Sequence, residues 1–378
     1  QYNCHKSWLA LPAIRATPQP RDDMRKYTLT AFFAGASLAA CAAAGAAAAD
    51  DGSTTVGGKS YIDLTNINQQ SDGTKTAASG TGVDVKRFYL IFTHDFDKTW
   101  SVTATTDFNY TSGTGQTQLY IKKAYLQARI ADAFVARLGS ADMPWIPFVE
   151  DLYGYRFVEN TLIDRLKFGN SADWGLHAVG KLLDGRLNYA ASVVNGNGYK
   201  NPTRSQSMDF EGRLAYAPVP GLTIAAGVYS GKLGKDVAGA AQSVQHTANR
   251  FDALVAYVNS DLRVGAEYFS ATDWNQVTAA PADKSAGYSV WASYDFQGNY
   301  SVFARGDQSK PKQDLNPGLK DTYYNAGLAY HPRKNVDLAL AYKHDKVENG
   351  SWNTTNGTIG GVPDGKYDEV GVWAQVAF

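Results

Sequence analysis

The sequence predicts an all-β fold, a transmembrane up-and-down antiparallel β-barrel of about sixteen strands. Three observations lead to this prediction. Segments in which polar and apolar side chains alternate recur from residue 59 to residue 378. The connections between these segments alternate between short and long. The last segment, 366–378, carries apolar side chains at every second position and ends on the aromatic residue Phe378.

Each alternating segment has about ten residues, which is the length of a tilted strand that spans a membrane. Successive side chains of a strand point to opposite sides, so alternation gives the strand one apolar and one polar face. The predicted strands are 59–68, 83–96, 99–111, 117–130, 133–140, 173–183, 185–195, 206–217, 221–230, 247–258, 261–271, 285–296, 299–308, 321–331, 335–346 and 366–378.

The connections predict how the strands are joined. An up-and-down barrel has short turns at one rim and long loops at the other. A soluble sandwich with Greek-key crossings would not alternate so regularly. Short connections such as Asp97-Lys98 and Gln297-Gly298 are followed each time by a long one; the long connections are 69–82, 112–116, 141–172, 196–205, 231–246, 272–284, 309–320 and 347–365.

Aromatic residues flank the short connections, and amphipathic rings favour the boundary between lipid and water. They predict an aromatic girdle at this rim, although ordinary packing beside hairpin turns would give the same pattern. The residues concerned are Phe96, Trp100, Tyr216, Phe296, Tyr300 and Tyr330.

The apolar faces should point towards lipid and the polar faces towards the inside. Trp100, Val102 and Ala104 alternate with Ser101, Thr103 and Thr105, for example. A soluble barrel would have its apolar face inside. A barrel of sixteen strands is too wide to be filled by its own side chains, so a polar interior predicts a water-filled channel.

The amino-terminal part is expected to lie outside the barrel. Arg25 and Lys26 precede an apolar, alanine-rich run that ends at Ala49, which predicts a cleaved secretory signal peptide over 24–49. Residues 1–23 lie upstream of Met24 and are interpreted as an over-extended start or added residues. Residues 50–378 then form the barrel domain. An alternative for this region is lipidation of Cys41.

Charge and cysteine content exclude several classes of protein. Residues 1–49 hold five basic and two acidic residues, so residues 50–378 carry 31 basic and 34 acidic residues, a net charge of −3. This balance gives no indication of nucleic-acid binding. Both cysteines, Cys4 and Cys41, lie before residue 50, so the barrel domain has neither disulfides nor thiol chemistry. A mean hydropathy of −0.33 also excludes a bundle of membrane helices.

The third long connection, 141–172, is the longest and is rich in Trp, Phe, Leu and Ile. An apolar loop of this length needs a surface to pack on. It is expected to fold into the barrel and narrow the channel. The alternative is a lid over the outer rim or against a neighbouring subunit.

Four short motifs resemble one family of outer-membrane channels. They are the strands around Ala124-Tyr125-Leu126 and Arg137-Leu138-Gly139, the dipeptide Met143-Pro144, and Asp173-Trp174-Gly175. Together they resemble the phosphate-selective porin O and P family over about residues 83–183. The final strand likewise resembles the closing strand of bacterial outer-membrane barrels, in which the terminal aromatic residue (here Phe378) is part of an assembly signal.

The resemblance implies a homotrimer in the outer membrane of a Gram-negative bacterium, surrounded by lipid and inserted by the barrel assembly machinery. It implies passive diffusion of small hydrophilic solutes, with a moderate preference for anions such as phosphate. Two alternatives remain open: a channel selective for carbohydrates or organic acids, and a structural or adhesive barrel without transport.

Charged residues on the inward faces and on the third loop are the candidates for pore lining and selectivity. Their basic excess predicts the anion preference, unless they pair with the acidic loop residues Glu150, Asp151, Glu159 and Asp164 and merely hold the loop. The candidates are Arg87, Asp107, Lys123, Arg129, Arg137, Arg156, Arg165, Lys167, Lys181 and Arg186.

The sequence does not predict an enzyme. It contains no Gly-x-Ser-x-Gly nucleophile motif, and its six histidines show neither His-x-x-x-His nor Glu-x-x-His spacing for a metal. No cofactor and no metal are expected.

Overall fold

The computed structural model describes residues 52–111 and 116–378. Sixteen long strands and one strand of two residues are present; the bounds are β1 (Ser53–Ser71), β2 (Thr74–Lys75), β3 (Gly80–Asp95), β4 (Trp100–Thr111), β5 (Gln116–Ala131), β6 (Phe134–Asp142), β7 (Ala172–Leu182), β8 (Leu187–Val194), β9 (Asp209–Tyr216), β10 (Leu222–Gly231), β11 (Ala248–Val258), β12 (Leu262–Thr272), β13 (Lys284–Phe296), β14 (Tyr300–Lys310), β15 (Lys320–Arg333), β16 (Val336–Thr354) and β17 (Gly357–Ala377). The predicted signal peptide at 24–49, residues 1–23 and Cys41 lie outside the described residues.

The sheet closes on itself. Each long strand pairs antiparallel with the next along the chain, and β1 pairs both with β3 and with β17. Lys59, for example, is opposite Tyr89 on one side and opposite Ala377 on the other. The predicted sixteen-stranded antiparallel barrel is therefore confirmed. All sixteen predicted strands are present, and most of their ends lie within three residues of those observed.

The two faces of the sheet follow the predicted alternation. Outward side chains such as Leu126, Val290 and Leu340 are apolar and exposed at the barrel surface. Inward side chains such as Asp107 and Asp345 are polar and buried inside the barrel. The apolar outer surface suits lipid, which cannot hydrogen-bond to a polar group or solvate a charge.

Tight turns join the strands at one rim. Gln297 and Gly298 both have positive φ, at 52° and 75°, as a two-residue hairpin turn requires. At the same rim, the rings of Tyr300 and Tyr330 stack with their centroids 4.9 Å apart. Both rings are more than a third exposed, as expected for members of a girdle.

The last hairpin differs from the prediction. Residues 347–365 were expected to form a long loop, but β16 and β17 continue through them and are joined by a turn at Thr355-Asn356. Gly, Asn and Thr favour turns in this segment, yet the ladder continues from Glu348 opposite Asp364 to Thr354 opposite Gly357, with a bulge between Glu348 and Gly350. Pairing to an existing strand satisfies backbone groups at little further entropic cost, which overrides the weak local preference.

The connection between β6 and β7, residues 143–171, carries the two helices of the described chain, α1 (Ile146–Tyr153) and α2 (Leu162–Arg165). Many of its apolar side chains, including Trp145, Leu162 and Phe168, are fully buried and contribute to the hydrophobic core cluster. We call residues 143–171 the inner loop. Within the described residues, no helix is sufficiently long and apolar to span a membrane.

Candidate pore constriction and its charged wall

The inner loop is shaped by its own sequence. Pro147 lies in the first turn of α1, where its missing N–H has no partner to lose, and Gly154 ends the helix with a φ of 81° that favours glycine. Trp145, just before α1, contacts two strands that lie beyond β7 and β8 in the barrel. Its backbone N–H donates to Glu211 of β9 at 2.9 Å, and its indole N–H donates to Glu267 of β12 at 2.8 Å.

Aromatic stacking holds the remainder of the inner loop against β14 and β16. The ring of Tyr155 stacks on Phe303 at a centroid distance of 4.2 Å, and that of Phe168 stacks on Trp352 at 5.6 Å. The Tyr155 hydroxyl also lies 2.7 Å from that of Ser301. Because these partners are on inward faces, the loop lies inside the barrel. We call the strands that it covers, β9–β17, the far wall.

Arg165 in α2 is the most strongly held residue of the inner loop. Its guanidinium contacts three far-wall carboxylates, with N–O distances of 3.1 Å to Asp307, 2.5 Å to Asp321 and 2.8 Å to Asp345. All four side chains have 0% relative exposure. A buried guanidinium that is satisfied by several carboxylates is costly to separate from them. Arg165 was predicted to line the pore, but it is buried beneath the loop and fixes the loop to the wall.

Glu159 provides a second charged anchor. Its carboxylate lies 3.4 Å from Nζ of Lys343, which is itself 2.8 Å from Glu369. The side-chain amide of Asn356 donates to Glu159 at 2.9 Å. Burial alone would raise the pKa of Glu159, but the Lys343 ammonium and the Asn356 hydrogen bond outweigh it and lower the pKa to about 2. Glu159 is therefore ionised at neutral pH.

Strands β3–β6, which we call the near wall, carry two β-bulges that change which side chains point inward. In β3, Tyr61 is opposite Arg87 whereas Ile62 is opposite Val85, so Lys86 is an extra residue. In β5, Thr105 is opposite Lys123 whereas Thr106 is opposite Ile121, so Lys122 is an extra residue. Each bulge interrupts the alternation, as bulges beside functional sites often do.

The bulges place two consecutive basic side chains on the inside of each strand. Lys86 lies 3.4 Å from the inward carboxylate of Asp63, and Arg87 lies 2.7 Å from that of Asp107. Strict alternation would place Lys86 and Lys122 on the lipid face, where an ammonium is costly. Sequence reasoning therefore missed both residues. The dipeptides Lys86-Arg87 and Lys122-Lys123 were the available signals, because one member of each would otherwise face lipid.

Two lysines, one in the near wall and one next to it, have tyrosines as neighbours. Lys122 Nζ lies 4.9 Å from the ring centroid of Tyr89 and 3.4 Å from its hydroxyl. Lys200, in the connection after β8, has its Nζ 4.9 Å from the ring of Tyr120. Both ammonium groups also lie within 6 Å of the ring of Tyr199, at 5.8 and 5.9 Å. Among the described residues, neither lysine forms an ion pair with a carboxylate. Two ammonium groups without a paired carboxylate therefore lie on this side of the channel; Lys122 is buried, at 7% relative exposure, and Lys200 is exposed.

The free edge of the inner loop carries a compact charged group. Arg156 lies 2.5 Å from Glu150 and 3.4 Å from Asp164, and all three side chains are slightly exposed. Asp164 and Arg87 line the same cavity, so this edge of the loop and the near wall face one another. The cavity has a volume of about 420 Å³. A channel narrowed by a loop, with charges on both sides of the constriction, can discriminate ions by sign.

The architecture and a family comparison now lead to the same conclusion. A family model described as Gram-negative porin matches residues 36–350 of the sequence. The chain belongs to the Gram-negative porin family. It is therefore an outer-membrane channel protein for small solutes and not an enzyme. No curated protein sequence matches the chain significantly.

Solved porin structures share the fold. The anion-selective porin from Comamonas acidovorans superposes with a TM-score of 0.62 at 14% identity, covering 87% of this chain and 100% of that chain. The outer-membrane channel DcaP of Acinetobacter baumannii gives 0.60 at 12% identity, covering 86% and 97%. OmpT of Vibrio cholerae in its trimer form gives 0.56 at 12% identity, covering 87% and 100%. Similarity at this level of identity concerns the fold.

The other predicted site residues of this porin are distributed along the channel. Lys123 lies 2.6 Å from Asp142 on the near wall. Arg137 donates to the side chain of Gln127 at 2.9 Å, and its guanidinium lies 5.2 Å from the ring of Tyr125. These two basic residues therefore belong to the near wall, with Arg87 and Asp107.

Three predicted residues lie at the short-turn rim and one at the opposite end. Arg129, 53% exposed, is 3.4 Å from Asp132 beside the turn after β5. Lys181 and Arg186 are exposed next to the turn after β7. Lys167, on the inner loop, has its Nζ 2.8 Å from the side-chain oxygen of Asn353 near the end of β16. The structure therefore places Arg129, Lys181 and Arg186 away from the cavity, whereas Lys167 lines the same cavity as Arg87.

Within the described residues, no group of three His, Cys, Asp or Glu side chains could hold a metal ion. The charged side chains of the channel form ion pairs with each other, contact tyrosine rings or face the lumen. The arrangement can attract, orient and exclude hydrated ions, and this requires neither a cofactor nor a nucleophile.

Proposed function

We propose that this porin is a passive diffusion channel with a moderate preference for anions, among them chloride and phosphate. The observation that carries the proposal is that neither Lys122 nor Lys200 forms an ion pair with a carboxylate of the described residues. Lys122 lies in β5 of the near wall, and Lys200 lines the cavity. Wall charges in a narrow channel affect its potential more strongly than the net charge of the whole chain.

The acidic groups near the constriction are largely neutralised, which supports the same sign of selectivity. Asp107 is held by Arg87, Asp142 by Lys123, and Glu150 by Arg156. On the far wall, Asp307, Asp321 and Asp345 surround Arg165 beneath the inner loop. The alternative that the basic residues merely hold the loop applies to Arg156 and Arg165, and it does not apply to Lys122 or Lys200.

The size of the effect follows from Coulomb's law. A monovalent anion about 5 Å from an ammonium in water gains roughly 0.8 kcal/mol, which screening at 0.1 M salt reduces to about 0.5 kcal/mol. A cation loses the same amount, so one ammonium changes the anion-to-cation permeability ratio by about fivefold.

The test is the reversal potential of single channels in a KCl gradient. Lys200→Gln should lower the anion-to-cation permeability ratio by about fivefold, because Lys200 is exposed and lines the cavity. Lys310→Gln is a matched control, because it removes the same charge from the exposed outer end of β14. An unchanged ratio in Lys200→Gln, or an equal change in Lys310→Gln, would refute the assignment of the anion preference to this side of the channel.

The assembled form is proposed to be a homotrimer, exported with the predicted signal peptide and inserted by the barrel assembly machinery. The trimeric form solved for OmpT supports this state. Crosslinking of the detergent-solubilised channel, followed by mass measurement, tests it: three chains are expected, and a monomeric mass would contradict the proposal.

A further inference from the structure

The cavity beside the inner loop is lined mainly by that loop and by the connections after β8, β10 and β12, with Arg87 contributed by the near wall. It has more recognition chemistry than an unspecific ion path requires. Its lining holds four cationic side chains, those of Arg87, Lys167, Lys200 and Lys235, and a single carboxylate, that of Asp164. This carboxylate is already 3.4 Å from Arg156. The lining is therefore strongly cationic, and its ligand should carry negative charge.

The same lining is rich in side-chain amides. Five asparagines contribute to it: Asn160, Asn170, Asn197, Asn201 and Asn275. Those of Asn170, Asn201 and Asn275 are exposed and form no side-chain hydrogen bond to any described residue. An amide offers two donors and an acceptor, which is the complement of a hydroxyl group that can both donate and accept.

The tyrosines of the near wall do not offer free ring faces to a flat aromatic ligand. Nζ of Lys200 lies 4.9 Å from the ring centroid of Tyr120, and Nζ of Lys122 lies 4.9 Å from that of Tyr89. These ring faces are occupied by ammonium groups in cation–π contacts. The free amides and the ammonium groups therefore favour a ligand with hydroxyls and one carboxylate over an aryl carboxylate.

Inorganic phosphate suits this cavity less well. Arginine binds phosphate strongly through two parallel hydrogen bonds, but the guanidinium of Arg87 is held by Asp107 at 2.7 Å. The cavity, with a volume of about 420 Å³, also offers the side chains of five asparagines. A phosphate would leave most of the amide groups without a partner.

We propose that this cavity binds a sugar acid, a polyhydroxylated monocarboxylate of the size of a hexuronate, with its carboxylate near Lys200 and its hydroxyls on Asn201 and Asn275. The inference rests on the proposed anion-preferring channel and specifies a solute class for it. Binding slows each such solute at the constriction, so that it transiently blocks the ion current.

The experiment adds solutes to single channels in KCl and measures the concentration that halves the current. Four probes separate the contribution of the negative charge from that of the hydroxyls. They are glucuronate, glucose (the same ring without the charge), acetate (the charge without hydroxyls) and inorganic phosphate. Glucuronate should block at a concentration at least fivefold lower than each of the other three. Equal or stronger block by acetate, phosphate or glucose would overturn the proposal.

Two variants locate the site. Asn201→Ala with Asn275→Ala should weaken the glucuronate block about fivefold and leave the effect of acetate unchanged. Lys200→Gln should weaken the block by both anions, whereas Lys310→Gln should change neither. Loss of acetate block in the asparagine variant, or an unaltered glucuronate block in all variants, would show that the ligand binds elsewhere.

The reversal potential of the same channels separates this inference from the proposed function. Anion selectivity in KCl without a preferential glucuronate block refutes the sugar-acid site and leaves the anion-preferring channel intact. Cation selectivity in KCl refutes the proposed function itself, whatever the block shows.

Discussion

Replacing Arg165 with Met tests the central structural feature of the channel, the fixation of the inner loop to the far wall. The substitution introduces an apolar side chain of similar length. It removes the guanidinium that contacts Asp307, Asp321 and Asp345. Three fully buried carboxylates then lose a shared cation. Arg305 still neutralises Asp307 at 2.6 Å, but no equivalent contact to Asp321 or Asp345 exists among the described residues.

The magnitude follows from the cost of removing one partner from a buried ion pair, about 3–5 kcal/mol. The penalty falls on the closed position of α2, because opening the segment around Arg165 exposes the carboxylates to water. The population of the open segment should rise roughly a hundredfold to a few thousandfold. The barrel strands should remain intact, since their backbone ladders do not depend on the inner loop.

Thiol labelling measures this opening directly. Ile163 has 0% relative exposure and lies within α2, and residues 50–378 contain no natural cysteine, so Ile163→Cys introduces a single buried thiol there. A charged, water-soluble thiol reagent should label it at least a hundredfold faster when Arg165→Met is also present. The Arg165→Met channel should also conduct more and with greater noise.

Lys346→Gln is the matched control for the labelling. It removes a cation next to Asp345 in sequence, but Lys346 is 29% exposed and pairs with Glu348 and Asp364. Exposed pairs contribute about 0–1 kcal/mol, so the labelling rate should change little. A rate in Arg165→Met that stays within a few-fold of the parent would refute the role assigned to Arg165.

Two further predictions concern acid pH and assembly. The pKa of Glu159 is lowered from its ordinary 4.5 to about 2, so its anchoring contribution is complete above pH 4.5 and is lost as the pH falls towards 2. Current noise should therefore rise below pH 4.5 and Glu159→Gln should lack this component; identical pH profiles for both proteins would contradict the assignment. Phe378 closes the barrel through two hydrogen bonds with Gly58. The Gly58 N–H donates to the Phe378 carbonyl at 2.8 Å, and the Phe378 N–H donates to the Gly58 carbonyl at 3.0 Å. Its ring lies over Gly58, where a Cβ would come within 2.2 Å of it. Phe378→Ala should reduce the amount of heat-modifiable, assembled barrel, whereas Phe378→Tyr should retain it; an undiminished yield of Phe378→Ala would exclude the aromatic end as an assembly signal.

The fold was predictable because a barrel strand repeats one simple physical requirement. Lipid on one side and water on the other require apolar and polar side chains to alternate along every strand. The alternation of short and long connections indicates that strands consecutive in the chain are neighbours in the barrel. Val290 and Tyr294 point outward and Ser289 and Ser293 inward because of this requirement alone. The last hairpin was not predictable in the same way, since 347–365 is ordered by pairing between β16 and β17 and not by local preference.

The site was predictable as a set of residue types but not as an arrangement. Lys122 was missed because a bulge shifts the register of β5 by one residue, and nothing in the alternation reveals where such a shift occurs. Arg165 was identified as a charge of the third loop. Its burial depends on Asp307, Asp321 and Asp345, which are 142 to 180 residues away in the chain. Long-range contacts of this kind depend on the closure of the barrel.

The reversal potential of the unmodified channel in a tenfold KCl gradient tests most directly whether the near wall governs transport. Open single-channel steps are expected, with a reversal potential of the sign that corresponds to chloride permeating faster than potassium. A reversal potential of the opposite sign, or a bilayer that remains silent with correctly assembled protein, would contradict this expectation.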